Sequence, residues 1–147
     1  MMLVSLTGMM CSGKSTLVKR FPNASKWCIK DDFYEKHGLL DRGRMDWQLF
    51  KQVMPYHRRD LRHAIENAKG DLFFIEHTNG KYMQNTISDL QPQLSIKLLP
   101  PSLEEFYRRM KPRKDRRSNA ELERYHREDS GRGLTIDEAE SKIRGLL

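Results

Sequence analysis

Gly8 to Ser15 reads GMMCSGKS, a glycine, four residues, then glycine, lysine and serine, with the apolar run Met2 to Leu6 directly ahead of it. This spacing is the phosphate-binding loop pattern, and a strand feeding the loop is the context it requires. No other feature limits the fold as much, because strand, anion-holding turn and helix must follow one another without interruption. Gly8 and Gly13 allow backbone conformations that a Cβ hinders, so successive N–H groups can turn inward around a phosphate. Lys14 adds a mobile positive charge, Ser15 offers a hydroxyl to Mg²⁺, and a helix starting near Lys14 points its positive end at the same place. Gly8, Met9, Met10, Cys11, Ser12, Gly13, Lys14, Ser15 and Thr16 are therefore the expected nucleotide contacts. The alternative, a chance match in a glycine-containing turn, does not explain why strand, loop and Lys-Ser-Thr come in order.

Periodicity and capping signals divide the rest of the chain. Lys26 to Ile29 reads as a second strand that delivers Lys30-Asp31-Asp32-Phe33-Tyr34 to its carboxyl end, where open α/β sheets bind ligands. A polar, glycine-bearing connection covers His37 to Asp46. Trp47, Phe50, Met54, Leu61, Ile65 and Ala68 then recur at helical spacings, with Asp46 as N-cap, Pro55 as a break and Gly70 as a stop. The solvent side of that helix is expected to carry His57, Arg58, Arg59, Arg62 and His63. Leu72 to Ile75 reads as a third, central strand ending in Glu76-His77-Thr78-Asn79-Gly80. A weak helix over Lys81 to Leu90 and a fourth strand over Leu94 to Leu99 follow. Ser102 with Glu105 caps a helix to Met110, Pro112 interrupts the basic stretch, and Ser118 with Glu121 caps another helix to about Asp129. After a loop over Ser130 to Gly133, Thr135 with Glu138 opens the last helix; no fifth strand is expected after the basic segment. Strands alternating with helices imply parallel connections and a sheet covered on both faces, a single α/β domain over 1–147.

A chain of 147 residues is the usual size of one domain. It has no apolar run of about 18 residues and no basic-then-apolar leader, so a membrane or exported protein is not expected and a cytoplasmic one is. Cys11 and Cys28 fit neither a disulfide framework nor a metal-ligand spacing. The net charge of +7 is local: Arg108 to Arg117, RRMKPRKDRR, holds seven basic residues and one acidic, a net of +6. Such a segment serves a triphosphate as readily as a polynucleotide, and composition does not choose between them.

Taken together, the phosphate loop, Asp31-Asp32-Phe33-Tyr34, Thr78-Asn79 and the basic segment resemble the small P-loop kinases, most closely the branch of polynucleotide 5′-hydroxyl kinases and related hydroxyl kinases. The resemblance implies a three-layer P-loop NTPase fold with a short parallel sheet and a basic lid over about residues 108–120. It also implies ATP and Mg²⁺ as donor and cofactor, and an acid pair whose first member is the general base. Asp31 is then the base and Asp32 the alternate, Lys14, Arg109 and Arg113 serve the transferring phosphate, and Ser15 and Glu76 serve the metal. The branch often has an arginine where this chain has Tyr34, and an acid where it has His77. Leu98 to Arg109, LLPPSLEEFYRR, is similar to the corresponding strand, loop and helix of guanylate kinases. A carboxylate suits transfer to a hydroxyl, whereas a phosphate acceptor needs cationic clamps and no base. The expected activity is therefore transfer of the γ-phosphate to a hydroxyl of a nucleoside, nucleotide or nucleic acid, a polynucleotide or hydroxymethylated DNA base among them. A nucleoside monophosphate kinase is the first alternative, and a nucleotide-gated nucleic-acid-binding protein without transfer is the second.

Overall fold

The computed structural model describes every residue except Asn79 and Ser130. Four parallel strands form the central sheet in the order β2–β5–β1–β6: Met2–Thr7 (β1), Ser25–Cys28 (β2), Leu72–Glu76 (β5) and Leu94–Lys97 (β6). Between β2 and β5 lies a separate antiparallel hairpin of two-residue strands, Leu40–Asp41 (β3) and Arg44–Met45 (β4). The polarity of the stretch after His37 predicts only a plain connection there.

Side chains alternate across β1, and this alternation builds two cores. Val4 and Leu6 face Lys14–Lys19 (α1) and Ile136–Leu146 (α7), where Leu17, Val18, Ala139 and Ile143 are buried with Phe74, Ile96 and Leu98. Phe73 and Ile75 of β5 face the other way, onto His57–Glu66 (α3) and Lys81–Leu90 (α4), with Trp27, Phe33, Leu61, Met83 and Ile87. All five residues of β5 are buried, as a central strand of a parallel sheet requires. The chain is thus α/β, with helices on both faces of its sheet. Among the described residues no helix is long and apolar enough to cross a membrane.

The 47–68 pattern breaks where Pro55 stands: Trp47–Val53 (α2) ends in a 3₁₀ turn over Met54–Tyr56, and α3 begins at His57. Asp46 caps α2 by accepting from the Leu49 N–H at 3.1 Å. Leu103–Met110 (α5), Asn119–Glu128 (α6) and α7 each start at a Ser or Thr whose side chain accepts from the third residue on, and at Thr135 the reciprocal Glu138 bond completes a capping box. No further strand forms after the basic segment among the described residues, but Leu134 makes a one-residue parallel bridge to Leu98 at the sheet edge. Ser130, in the expected loop before it, lies outside the described residues. One expectation is corrected. His57 is not on the solvent side of its helix but fully buried, because Pro55 and the 3₁₀ turn rotate the start of α3 inward, against Trp27 and Phe33. Arg58, Arg59, Arg62 and His63 are exposed as expected.

Candidate functional site

Parallel strands put their carboxyl ends at one edge, and there the chain delivers its polar segments. After β1 the backbone turns through positive φ at Gly8, Cys11 and Gly13, and the Ser12 N–H closes the turn on the Met9 carbonyl at 3.2 Å. At Gly13 the requirement for glycine is twofold: φ is +97°, and a Cβ would stand 2.6 Å from Cδ1 of Ile136 on α7. No side chain caps the start of α1, so its first amides keep their donors free at the loop. The Lys14 ammonium donates to the Gly8 carbonyl at 2.6 Å. Burial draws the Lys14 pKa down, and Glu76 is the strongest influence holding it up. Ser15 and Thr16 are exposed beside it.

Beyond β2 the chain enters a six-residue π-helix, Ile29–Tyr34, whose end is closed by the Glu35 N–H on the Lys30 carbonyl at 2.8 Å, and the Leu39 N–H closes the following turn on the Tyr34 carbonyl, also at 2.8 Å. Sequence periodicity cannot signal this wide turn, which is common at functional sites. Its geometry separates the two acids. Asp32 folds back to accept from the Cys28 N–H at 2.7 Å. The Asp31 carboxylate is exposed and makes no hydrogen bond or ion pair among the described residues. Phe33 and Tyr34 turn inward and anchor the segment in the core. Burial raises the Tyr34 phenol pKa, opposed by its hydrogen bond with Thr78. Burial likewise pushes the Cys28 thiol up to about 12, so this cysteine stays protonated and unreactive.

At the end of β5 the roles of Glu76 and His77 part. His77 Nδ1 lies 2.8 Å from the Thr78 carbonyl, which can only accept, so Nδ1 carries the proton and Nε2 accepts from the Ser5 hydroxyl at 2.6 Å. Both nitrogens are thereby used, and burial lowers the His77 pKa, keeping the ring neutral. Glu76 is equally buried, yet its Oε1 has no hydrogen-bond partner among the described residues. A buried carboxylate oxygen without a donor is costly, and this one lies in the electrostatic field of Lys14. Carboxylate and hydroxyl oxygens are the donors Mg²⁺ takes, while it keeps several waters, so Glu76 and Ser15 suit that ion without a larger acidic cluster. None is present among the described residues. Asn79, which the resemblance pairs with Thr78, lies outside them.

The basic segment lies against the phosphate loop. Phe106, Met110 and Leu122 of α5 and α6 form a third small core into which Met9, Met10 and Cys11 pack, which accounts for the bulky residues in the loop. Arg109 donates to the Cys11 carbonyl at 2.6 Å and to Glu105 at 2.7 Å. Arg113 follows in a 3₁₀ turn over Lys111–Arg113, exposed, close enough that its charge bears on Lys14. Arg117, which no motif singles out, is a further contact: it forks onto Asp115 at 2.7 and 2.9 Å and reaches Met10 Sδ at 3.1 Å. Only its place within the basic run signals it. The β3–β4 hairpin docks on this segment through the Arg116 N–H to the Arg42 carbonyl at 2.7 Å and through an Arg116–Asp41 ion pair. Gly43 makes the approach possible, since φ is +92° and a Cβ would collide with the Asp115 carboxylate.

In comparisons with known proteins, no family model matches the sequence and no curated protein is significantly similar to it.

Proposed function

We propose that the chain is an ATP- and Mg²⁺-dependent kinase with the P-loop NTPase arrangement that transfers the γ-phosphate to a hydroxyl of a nucleoside, nucleotide or nucleic acid. The observation that carries this reading is the division of labour in the acid pair: Asp32 is committed to the Cys28 backbone, while Asp31 presents a free carboxylate at the sheet edge that holds the phosphate loop. A base so placed suits an acceptor that must lose a proton.

The placement of these groups supports a role for each. The loop amides and Lys14 would hold the β- and γ-phosphates, and Ser15 with Glu76 would hold Mg²⁺ directly or through its waters. The ion, when bound, neutralises charge on the phosphate oxygens. Asp31 accepts the acceptor's proton as its oxygen bonds to the γ-phosphorus, the bond to the bridging oxygen breaks, and ADP leaves. Arg109 and Arg113 supply cations to the charge that spreads over the transferring group.

A screen with γ-labelled ATP over nucleosides, nucleoside monophosphates and 5′-hydroxyl or hydroxymethyl-bearing oligonucleotides tests this, with Lys14→Ala as control. Label on a hydroxyl acceptor, lost in the control, is expected. Label on monophosphates alone supports the nucleoside monophosphate kinase reading, which the guanylate-kinase-like 98–109 stretch favours.

A further inference from the structure

The hairpin and the lid, far apart in sequence, form one surface that carries the net charge of the molecule. Residues 40–45 and 108–117 together hold nine basic and two acidic side chains, a net of +7, equal to the net charge of the chain. The rest of the protein is neutral in sum. Besides the Arg116 contacts and the Gly43–Asp115 approach, Arg44 lies 3.9 Å from Glu121 on α6. Asp41 and Asp115, the two acids within these segments, are engaged by Arg116 and Arg117 and held below the ordinary aspartate range, while Glu105 and Glu121 of the adjoining helices pair with Arg108, Arg109 and Arg44.

An aromatic series leads from this surface toward the acid pair. Trp47, the first residue of α2 and only three positions past Arg44, is 64 % exposed. Its ring lies 5.3 Å from Phe50, and Phe50 lies 6.1 Å from the buried Tyr34, two residues past Asp32. An indole at that exposure forgoes most of the gain of burial, and no packing among the described residues uses its outer face.

We infer that this surface binds a single strand of nucleic acid, its phosphates on the hairpin and lid cations and a base stacked on the exposed face of Trp47. Cations alone would suit any polyanion, and an indole alone any flat apolar group. The pairing of an aromatic face with a row of cations is the arrangement that single strands require. Delivery of an acceptor hydroxyl to Asp31 along this path rests on the kinase reading; the binding itself does not.

The test is fluorescence anisotropy of a labelled pyrimidine-rich DNA strand on the order of a dozen nucleotides long, over about 50–200 mM salt. The same RNA sequence, a DNA duplex and unlabelled heparin serve as competitors. Trp47→Ala is expected to weaken single-strand binding at least fivefold, leaving both the salt slope and the affinity for heparin unchanged. Arg42→Ala with Arg44→Ala is expected to reduce the salt slope by about 1.4, since each phosphate left without its cation lowers the slope by about 0.7. Competition by either single strand supports the inference. Equal affinity of wild type and Trp47→Ala, or stronger competition by the duplex, overturns it. Trp47-dependent binding with no label transferred to any acceptor would overturn the kinase reading and leave this surface standing. Transfer to a hydroxyl with binding indifferent to Trp47 would do the reverse.

Discussion

Asp31 and Asp32 are adjacent, yet their geometry assigns them different work. Asp32 satisfies a backbone donor at the end of β2, so Asp32→Asn should cost about 1 kcal/mol of stability, read as a lowered urea midpoint, with a modest effect on turnover. Asp31→Asn should leave the midpoint unchanged and reduce transfer to a hydroxyl by roughly 10² to 10⁴. His57 sits fully buried among Trp27, Phe33 and Tyr82 with neither ring nitrogen bonded among the described residues. Burial pulls its pKa down to about 4, with Arg58 and His77 acting in the same direction and Asp60 against them. The folded state therefore refuses a proton that the unfolded chain accepts near 6.5. Stability is full above about pH 6.5 and falls as the pH drops toward 4. At pH 5 this site alone should cost about 2 kcal/mol. Urea midpoints at pH 7.5 and pH 5 should converge in His57→Leu relative to wild type, with the smaller dependence left by His77, whose pKa is also lowered by burial. The acid pair was legible in the sequence because a short motif marks it. The burial of His57 was not, because helical spacing places it on the charged side and only the turn at Pro55 rotates it inward.

The elements whose signals are local were the ones the sequence announced. β1 and the loop follow from an apolar run ahead of the Gly8–Ser15 pattern, and α5, α6 and α7 from a capping Ser or Thr three residues ahead of a glutamate. The π-helix and the β3–β4 hairpin were not announced. The first depends on Asp32 folding back while Phe33 and Tyr34 bury, and the second on pairing with a lid more than seventy residues away, held by Arg116, Asp115 and Gly43. Gly43→Ala should consequently detach the hairpin without harming the sheet. Hydrogen exchange of the Arg116 amide should accelerate at least tenfold while the amides of β1 and β5 keep their protection. In the loop itself, Gly13→Ala meets both a positive φ and the Ile136 side chain. It should lower stability by about 1–3 kcal/mol in thermal denaturation and abolish nucleotide binding.

At the scale of the molecule, a four-stranded parallel sheet brings the Gly8–Ser15 loop to one edge with Asp31 and the Glu76 oxygen, neither of which has a hydrogen-bond partner among the described residues. Helices α5 and α6, which flank the basic segment, pack on the loop through a small core of their own. The two large cores lie on opposite faces of the sheet and leave that edge to polar groups. The order of the four parallel strands and their flanking helices was readable because β1 and β5 are short apolar runs and turn or capping signals bound the rest. The contact of hairpin with lid was not, because it is made by charged and glycine residues that carry no periodic signal. A triphosphate bound by the folded chain and not by the unfolded one should stabilise it by about 2.7 kcal/mol at a hundred times its Kd. Mg²⁺-ATP should thus raise the melting temperature by several degrees in wild type and not in Lys14→Ala. Label from γ-labelled ATP, followed onto hydroxyl acceptors and monophosphates side by side, reads the central claim itself. A hydroxyl kinase leaves label on a hydroxyl acceptor that disappears in Lys14→Ala and falls at least a hundredfold in Asp31→Asn; label confined to monophosphates, or transfer indifferent to Asp31, rules that activity out.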